Sequence, residues 1–228
     1  EEPDDLEFDP KLLETMLFAR TAFIDLLQNR EYSLHDRLVD VLSASSEIQY
    51  ALDEEDTEEI KAIAQELSHP EIFAERVESL KKALPEKPLE NAEKMLSYLE
   101  RLDFIGDILP QQIKDANRFV KKLSAPLKAQ TSGEYEKLAV YFVYRYFLKA
   151  VRDFDLLSKI KAMIVFVFAA EVINLSREQD AHARFETVKE LCKEIEYSGD
   201  NMDRIYDDSY LSDIFSDISM LALLEWTL

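Results

Sequence analysis

The chain has 228 residues and a mass of 26.5 kDa, with 47% hydrophobic and 32% charged residues, so it can bury a sizeable core without cross-links. Only 3 Gly, 7 Pro and one cysteine, Cys192, are present; this composition argues against a turn-rich β-sandwich, a Gly-rich nucleotide loop, an internal disulfide, a zinc knuckle and an iron–sulfur cage. A formal charge of −20, from 27 basic and 47 acidic residues, repels phosphate backbones and argues against nucleic acid as a partner.

The elements follow in chain order. Six acids and no base stand in the first nine residues, unlike a secretory leader. Pro10 to Asn29 reads as a helix behind Asp9 as cap, with Leu13, Leu17, Phe23 and Leu27 at helical spacing. Ser33 opens a second helix to about Leu52. Asp56 with Glu59, and Ser68 with Glu71, are capping-box patterns for two more. Pro88 precedes a helix from Leu89 to Ile105, Gly106 stops it, and Pro110 starts the next. Glu134 to Arg152 and Asp155 to about Leu175 are strongly apolar and read as two central helices. Ser176 with Gln179 opens a helix from Arg177 to Tyr197, Gly199 ends it, and one or two helices complete the chain up to Trp226.

No alternating run suggests a sheet. The expectation is all-α: an orthogonal bundle of about ten helices in one domain over residues 1–228. A division into an amphipathic part, 1–85, and a core part, 88–228, stays open. The longest apolar run, Ala162 to Ala170, falls well short of the ~20 residues of a membrane span, so a cytoplasmic chain without membrane contact is expected. An opening residue of Glu rather than Met reads as a piece of a longer protein.

The richest segment is Tyr135 to Lys161. Five of the seven residues from Tyr141 to Phe147 are aromatic. Lys137, Tyr141, Arg145, Lys149 and Asp153 stand four apart, which places them on one helical stripe. Between Arg145 and Lys161, the bases Arg145, Lys149, Arg152, Lys159 and Lys161 face only two acids, Asp153 and Asp155. Such a stripe reads either as a polar pocket that holds a carboxylate and stacks a ligand on tyrosine, or as a solvated, internally paired stripe. Glu190, Glu194, Glu196 and Tyr197 end a later helix and read as site residues or as surface charge. Glu178, His182 and Glu186 have metal-ligand spacing but read as solvated surface, so no metal is expected. Asp207 and Asp208 do not complete an aspartate-rich diphosphate motif. His35 and His69 have no triad partner, and Cys192 reads as a packing residue.

Three segments carry a resemblance. Ile24 to Leu34 reads IDLLQNREYSL, close to a family stretch IDLLQNRxYxL. Tyr144 to Lys161 reads YRYFLKAVRDFDLLSKIK, similar to FRYFLKxVYDxDLLxKVK. Cys192 to Asn201 reads CKEIEYSGDN, where the family tends to show SREIEHSxxN. Together they resemble the flagellin lysine-N-methylase family of bacteria. The resemblance implies a protein lysine N-methyltransferase acting on flagellin or another protein, with S-adenosylmethionine as methyl donor. It also implies an N-terminal cysteine-rich motif for an iron–sulfur cluster, which this chain does not carry. Lys137 stands where the family has Asn, and Tyr197 replaces a His. Joined to the residue reading, the resemblance makes Asp153, Asp155 and Glu194 the candidates near the amine. Arg145 or Lys149 would hold an anionic group and Tyr141 or Tyr146 would stack; Lys159, Glu196, Tyr197 and Asn201 complete the candidate binding set. The expectation is an open pocket with Arg145 and Lys149 facing Glu194. A non-catalytic helical interaction module is the alternative, marked by a filled core at that place and an apolar groove elsewhere.

Overall fold

A computed structural model of the chain describes residues 9–83, 87–127, 133–177 and 180–226. The helices are α1 (Pro10–Gln28), α2 (Leu34–Asp53), α3 (Thr57–Glu66), α4 (Pro70–Ala83), α5 (Pro88–Leu99), α6 (Ile108–Val120), α7 (Gly133–Tyr146), α8 (Ala150–Asp153), α9 (Leu157–Arg177), α10 (Ala181–Leu191), α11 (Gly199–Leu211) and α12 (Asp217–Leu224). No strand occurs among the described residues, so the all-α expectation holds.

The centre is α9, whose residues from Ser158 to Asn174 are all buried. It packs against α2, α6, α7, α10, α11 and α12. A helix that is apolar all round must find such neighbours, and each buried Val, Ile or Phe contributes about 1.5–3 kcal/mol. Three ionisable side chains lie within its buried stretch and each meets a partner. Lys159 meets Asp153 and Asp155, Lys161 meets Asp217, and Glu171 meets His35 at 3.1 Å. None of the described helices is long and apolar enough to cross a membrane.

Local caps explain most helix starts. Asp9, Ser33, Asp56, Ser198 and Ser216 each accept a hydrogen bond from a first-turn amide. Elsewhere the structure departs from the sequence expectations. The Ser68 hydroxyl donates back to the Gln65 carbonyl, so it does not cap α4. The helix from Leu89 stops at Leu99, because side chains from far along the chain take the amides of the following loop. Asp180, not Ser176, caps α10, whereas Gln179 lies outside the described residues. Gly199 opens α11 and does not close the helix before it. The helix expected over 134–152 is also broken: α7 tightens into a 3-10 turn at Phe147–Lys149, and Phe154 then reverses the chain with a φ of 53°.

Both halves of the chain enter one apolar cluster, from Leu12 to Trp226. Here α1 packs on α7, and α2 packs on α9 and α12. Lys81 joins Asp36 at 2.6 Å to Glu225 at 3.2 Å. Trp226 is buried edge-on to Phe168, 5.6 Å between ring centres, and its carbonyl accepts the Leu127 amide at 3.2 Å.

Candidate functional site

The polar stripe of α7 meets a carboxylate from the end of α10. Past Leu191 the helix widens into a π-turn over Cys192–Glu196, closed by the Tyr197 amide donating to the Cys192 carbonyl at 2.9 Å. Such turns recur at functional sites. This one delivers Glu196 into the wall of α7. The hydroxyls of Tyr141 and Tyr146 donate to the same oxygen, Glu196 Oε1, at 2.5 and 2.6 Å. Arg145 Nε lies 3.5 Å from that oxygen. The Arg145 guanidinium also stands over the rings of Tyr146, Tyr197 and Tyr141, at 5.4, 5.6 and 5.8 Å. Glu196 is fully enclosed, and its Oε2 has no partner among the described residues.

Burial, and then the hydrogen bond to Glu196, raise the pKa of both phenols, so they remain donors. The same two causes raise the pKa of the Cys192 thiol. It stays protonated, a packing residue and not a nucleophile.

Glu194 is two residues from Glu196, roughly half a turn away, and so serves the opposite wall. Its Oε2 accepts the amides of Ile105 at 2.7 Å and Gly106 at 3.1 Å, and Lys193 pairs with its other oxygen at 3.0 Å. Lys193 and these two amides hold its carboxyl below the usual range. Asn201 completes the latch. Its Nδ2 donates to the Asp103 carbonyl at 2.6 Å, and its Oδ1 accepts the Asp103 amide at 3.0 Å. A Cβ at Gly106 would come within 3.1 Å of Glu194 Oε1, so this position uses the missing side chain.

Asp153, Asp155 and Lys159 form a separate cluster at the start of α9. Lys159 Nζ is 2.8 Å from each carboxylate and stands 4.9 Å above the Tyr206 ring. Asp155 also accepts the Ser158 amide and hydroxyl and the Tyr210 hydroxyl. Burial pushes its pKa up, but the bonds from Lys159, Ser158 and Tyr210 outweigh this and hold it low.

The sequence candidates therefore fall in three places: Tyr141, Arg145, Tyr146, Tyr197 and Glu196; Glu194 with Asn201; and Asp153, Asp155 and Lys159. Lys149 is exposed, with its ammonium 4.7 Å above the Tyr146 ring. Arg145 meets Glu196 and not the expected Glu194, whose carboxylate turns away to the amides of Ile105 and Gly106. Among the described residues no group of three His, Cys, Asp or Glu side chains is placed to hold a metal ion; Glu178 lies outside them.

Two open clefts flank the end of α1, and the sequence reading missed both because their walls come from distant helices. The larger, about 520 Å³, lies between α1 and the corner from α3 to α4; Phe18, Asp25, Tyr32, Leu67, His69 and Phe73 are among its lining residues. The smaller, about 350 Å³, is lined by Ile24 and Gln28 of α1 and by Lys137, Val140, Tyr141 and Tyr144 of α7, together with Glu136. The Tyr141 ring thus walls the smaller cleft while its hydroxyl ends on Glu196. Beneath it, Arg30 forms a two-pronged pair with Glu136, which Arg37 also joins at 3.1 Å. The segment 24–34, which carries the first resemblance, lines both clefts and is the signal that could have found them.

A family model described as the FliB lysine N-methylase C-terminal domain matches residues 20–223. No curated protein and no solved structure matches the chain.

Proposed function

Since the chain belongs to the FliB lysine N-methylase C-terminal domain family, we propose that it serves protein lysine N-methylation in the cytoplasm, with flagellin as substrate and S-adenosylmethionine as methyl donor. One observation carries this reading: the three resembling segments converge on one helix, α7. Arg30 of the first holds Glu136 at the foot of α7, and Arg145 and Tyr146 of the second hold Glu196 of the third.

The side chains suit binding and positioning more than proton removal. Glu194 and Asp155 already accept several hydrogen bonds, and Glu196 is closed to solvent. A general base needs an open path to the amine it deprotonates. Arg145, 45% exposed at its side chain, fits the donor's own carboxylate, and the half-buried Tyr141 beside it offers a ring face to a sulfonium. Bound there, the donor would supply an electrophilic methyl group. Four thiolates hold an iron–sulfur cluster, and Cys192 is this chain's one cysteine, so these residues do not fit that group.

Titration calorimetry with S-adenosylmethionine tests the reading. Saturable heat is expected from the chain, weakened at least tenfold by Arg145→Ala with the fold intact by circular dichroism. No heat from folded protein overturns the donor site. The larger cleft favours a second reading, a helical docking module that binds flagellin without the donor.

A further inference from the structure

We propose that the larger cleft receives a lysine-bearing segment of the protein substrate, with Asp25 as the carboxylate that meets the ammonium; the choice of lysine rests on the methylase reading above. The cleft is an open trough of about 520 Å³, within the range of roughly 300–1,000 Å³ typical of ligand sites. Its floor is aromatic: the Tyr32 and Phe73 rings stack with centres 3.9 Å apart. Phe18 stands on its α1 wall, 41% exposed, a large apolar side chain left partly in water. Such a floor and wall suit the four methylenes of a lysine, and the ring faces favour its cation.

Charge selects among occupants. Asp25 is the one Asp, Glu, Lys or Arg among the lining residues. No hydrogen bond or ion pair engages Asp25 among the described residues, whereas Glu66 near the same corner is committed to Arg76 at 2.9 Å. Asp25 is exposed, so a cation can reach it from water. On a chain of net charge −20 the approach of a basic segment is further favoured. Asp25, Asn29 and Tyr32 all lie within the segment 24–34, and the same helical turn presents Ile24 and Gln28 to the smaller cleft. A lysine held in the larger cleft would thus lie along the helix that borders Tyr141.

The test is fluorescence anisotropy of a labelled flagellin peptide that contains one lysine, titrated with the chain. Saturable binding is expected. Asp25→Asn should weaken it about fivefold, and acetylation of the peptide's lysine should weaken binding to the parent chain equally but add nothing on the Asp25→Asn chain. Phe18→Ala should weaken both peptides. Unchanged melting temperatures keep these results from being a folding effect. Absence of saturable binding, or equal binding by the parent chain and both variants, overturns the proposal. A dimer in sedimentation that Phe18→Ala dissociates also overturns it and assigns the cleft to a second copy. If the chain binds the peptide through Asp25 but gives no heat with S-adenosylmethionine, the donor reading fails and the cleft stands. Donor binding with no Asp25 dependence gives the reverse.

Discussion

Asp40 of α2 is almost fully buried, and one of its oxygens takes Arg76 Nη1 at 3.0 Å while the other has no partner among the described residues. Burial, against the opposing pull of Arg76, pushes its pKa up from 3.8 to about 6. The unfolded carboxyl loses its proton near pH 4 and the folded one near pH 6. Between these values the folded state binds more protons, so this group's contribution to stability falls as pH rises and levels off above about pH 6. A shift of this size corresponds to roughly 3 kcal/mol. Asp40→Asn cannot ionise. Urea unfolding should therefore place the variant about 2 kcal/mol higher relative to the parent at pH 7.5 than at pH 4. The same offset at both pH values would refute a buried charge at this position. Nothing local in the sequence announces that Arg76 of α4 closes over Asp40.

At the scale of elements, the loop between α5 and α6 shows how distant groups decide a boundary. Leu102 to Gly106 follows a good helix pattern, yet Asn201 and Glu194 take its amides. Each buried acceptor removed leaves donors unpaired at a cost of about 1–3 kcal/mol. Glu194→Ala should accordingly speed hydrogen exchange at Ile105 and Gly106 at least tenfold and leave α9 protected. Equal exchange in variant and parent would mean that the loop is held some other way. Helix starts were legible in the sequence because a cap needs only the next three residues, as at Asp9, Ser33 and Asp56. Boundaries that depend on residues about a hundred positions away were not. The candidate site divides along the same line. Four-residue spacing placed Tyr141 and Arg145 together on α7, and the structure keeps them together on Glu196. Spacing could not tell which of two carboxylates, on opposite sides of one turn, would face them. Asp155 also caps α9, which spacing did not show, because the 3-10 turn and the left-handed Phe154 place it under Ser158.

For the whole molecule, the shared cluster from Leu12 to Trp226 bears on cooperativity. Removal of residues 1–85 would strip α1 from α7 and α2 from α9, and would expose apolar faces on both. We therefore expect calorimetry to give one transition, with calorimetric and van't Hoff enthalpies equal. Two resolved transitions would divide the chain near residues 85–88. The protein also carries its own optical gauge of that event. Its single indole, that of Trp226, is sealed beside Phe168, and the backbone carbonyl of the same residue accepts the Leu127 amide. Emission excited at the red edge of protein absorbance thus arises from one place, blue while the C-terminal turn stays docked and red once water reaches it, so loosening of that corner can be followed without a dye.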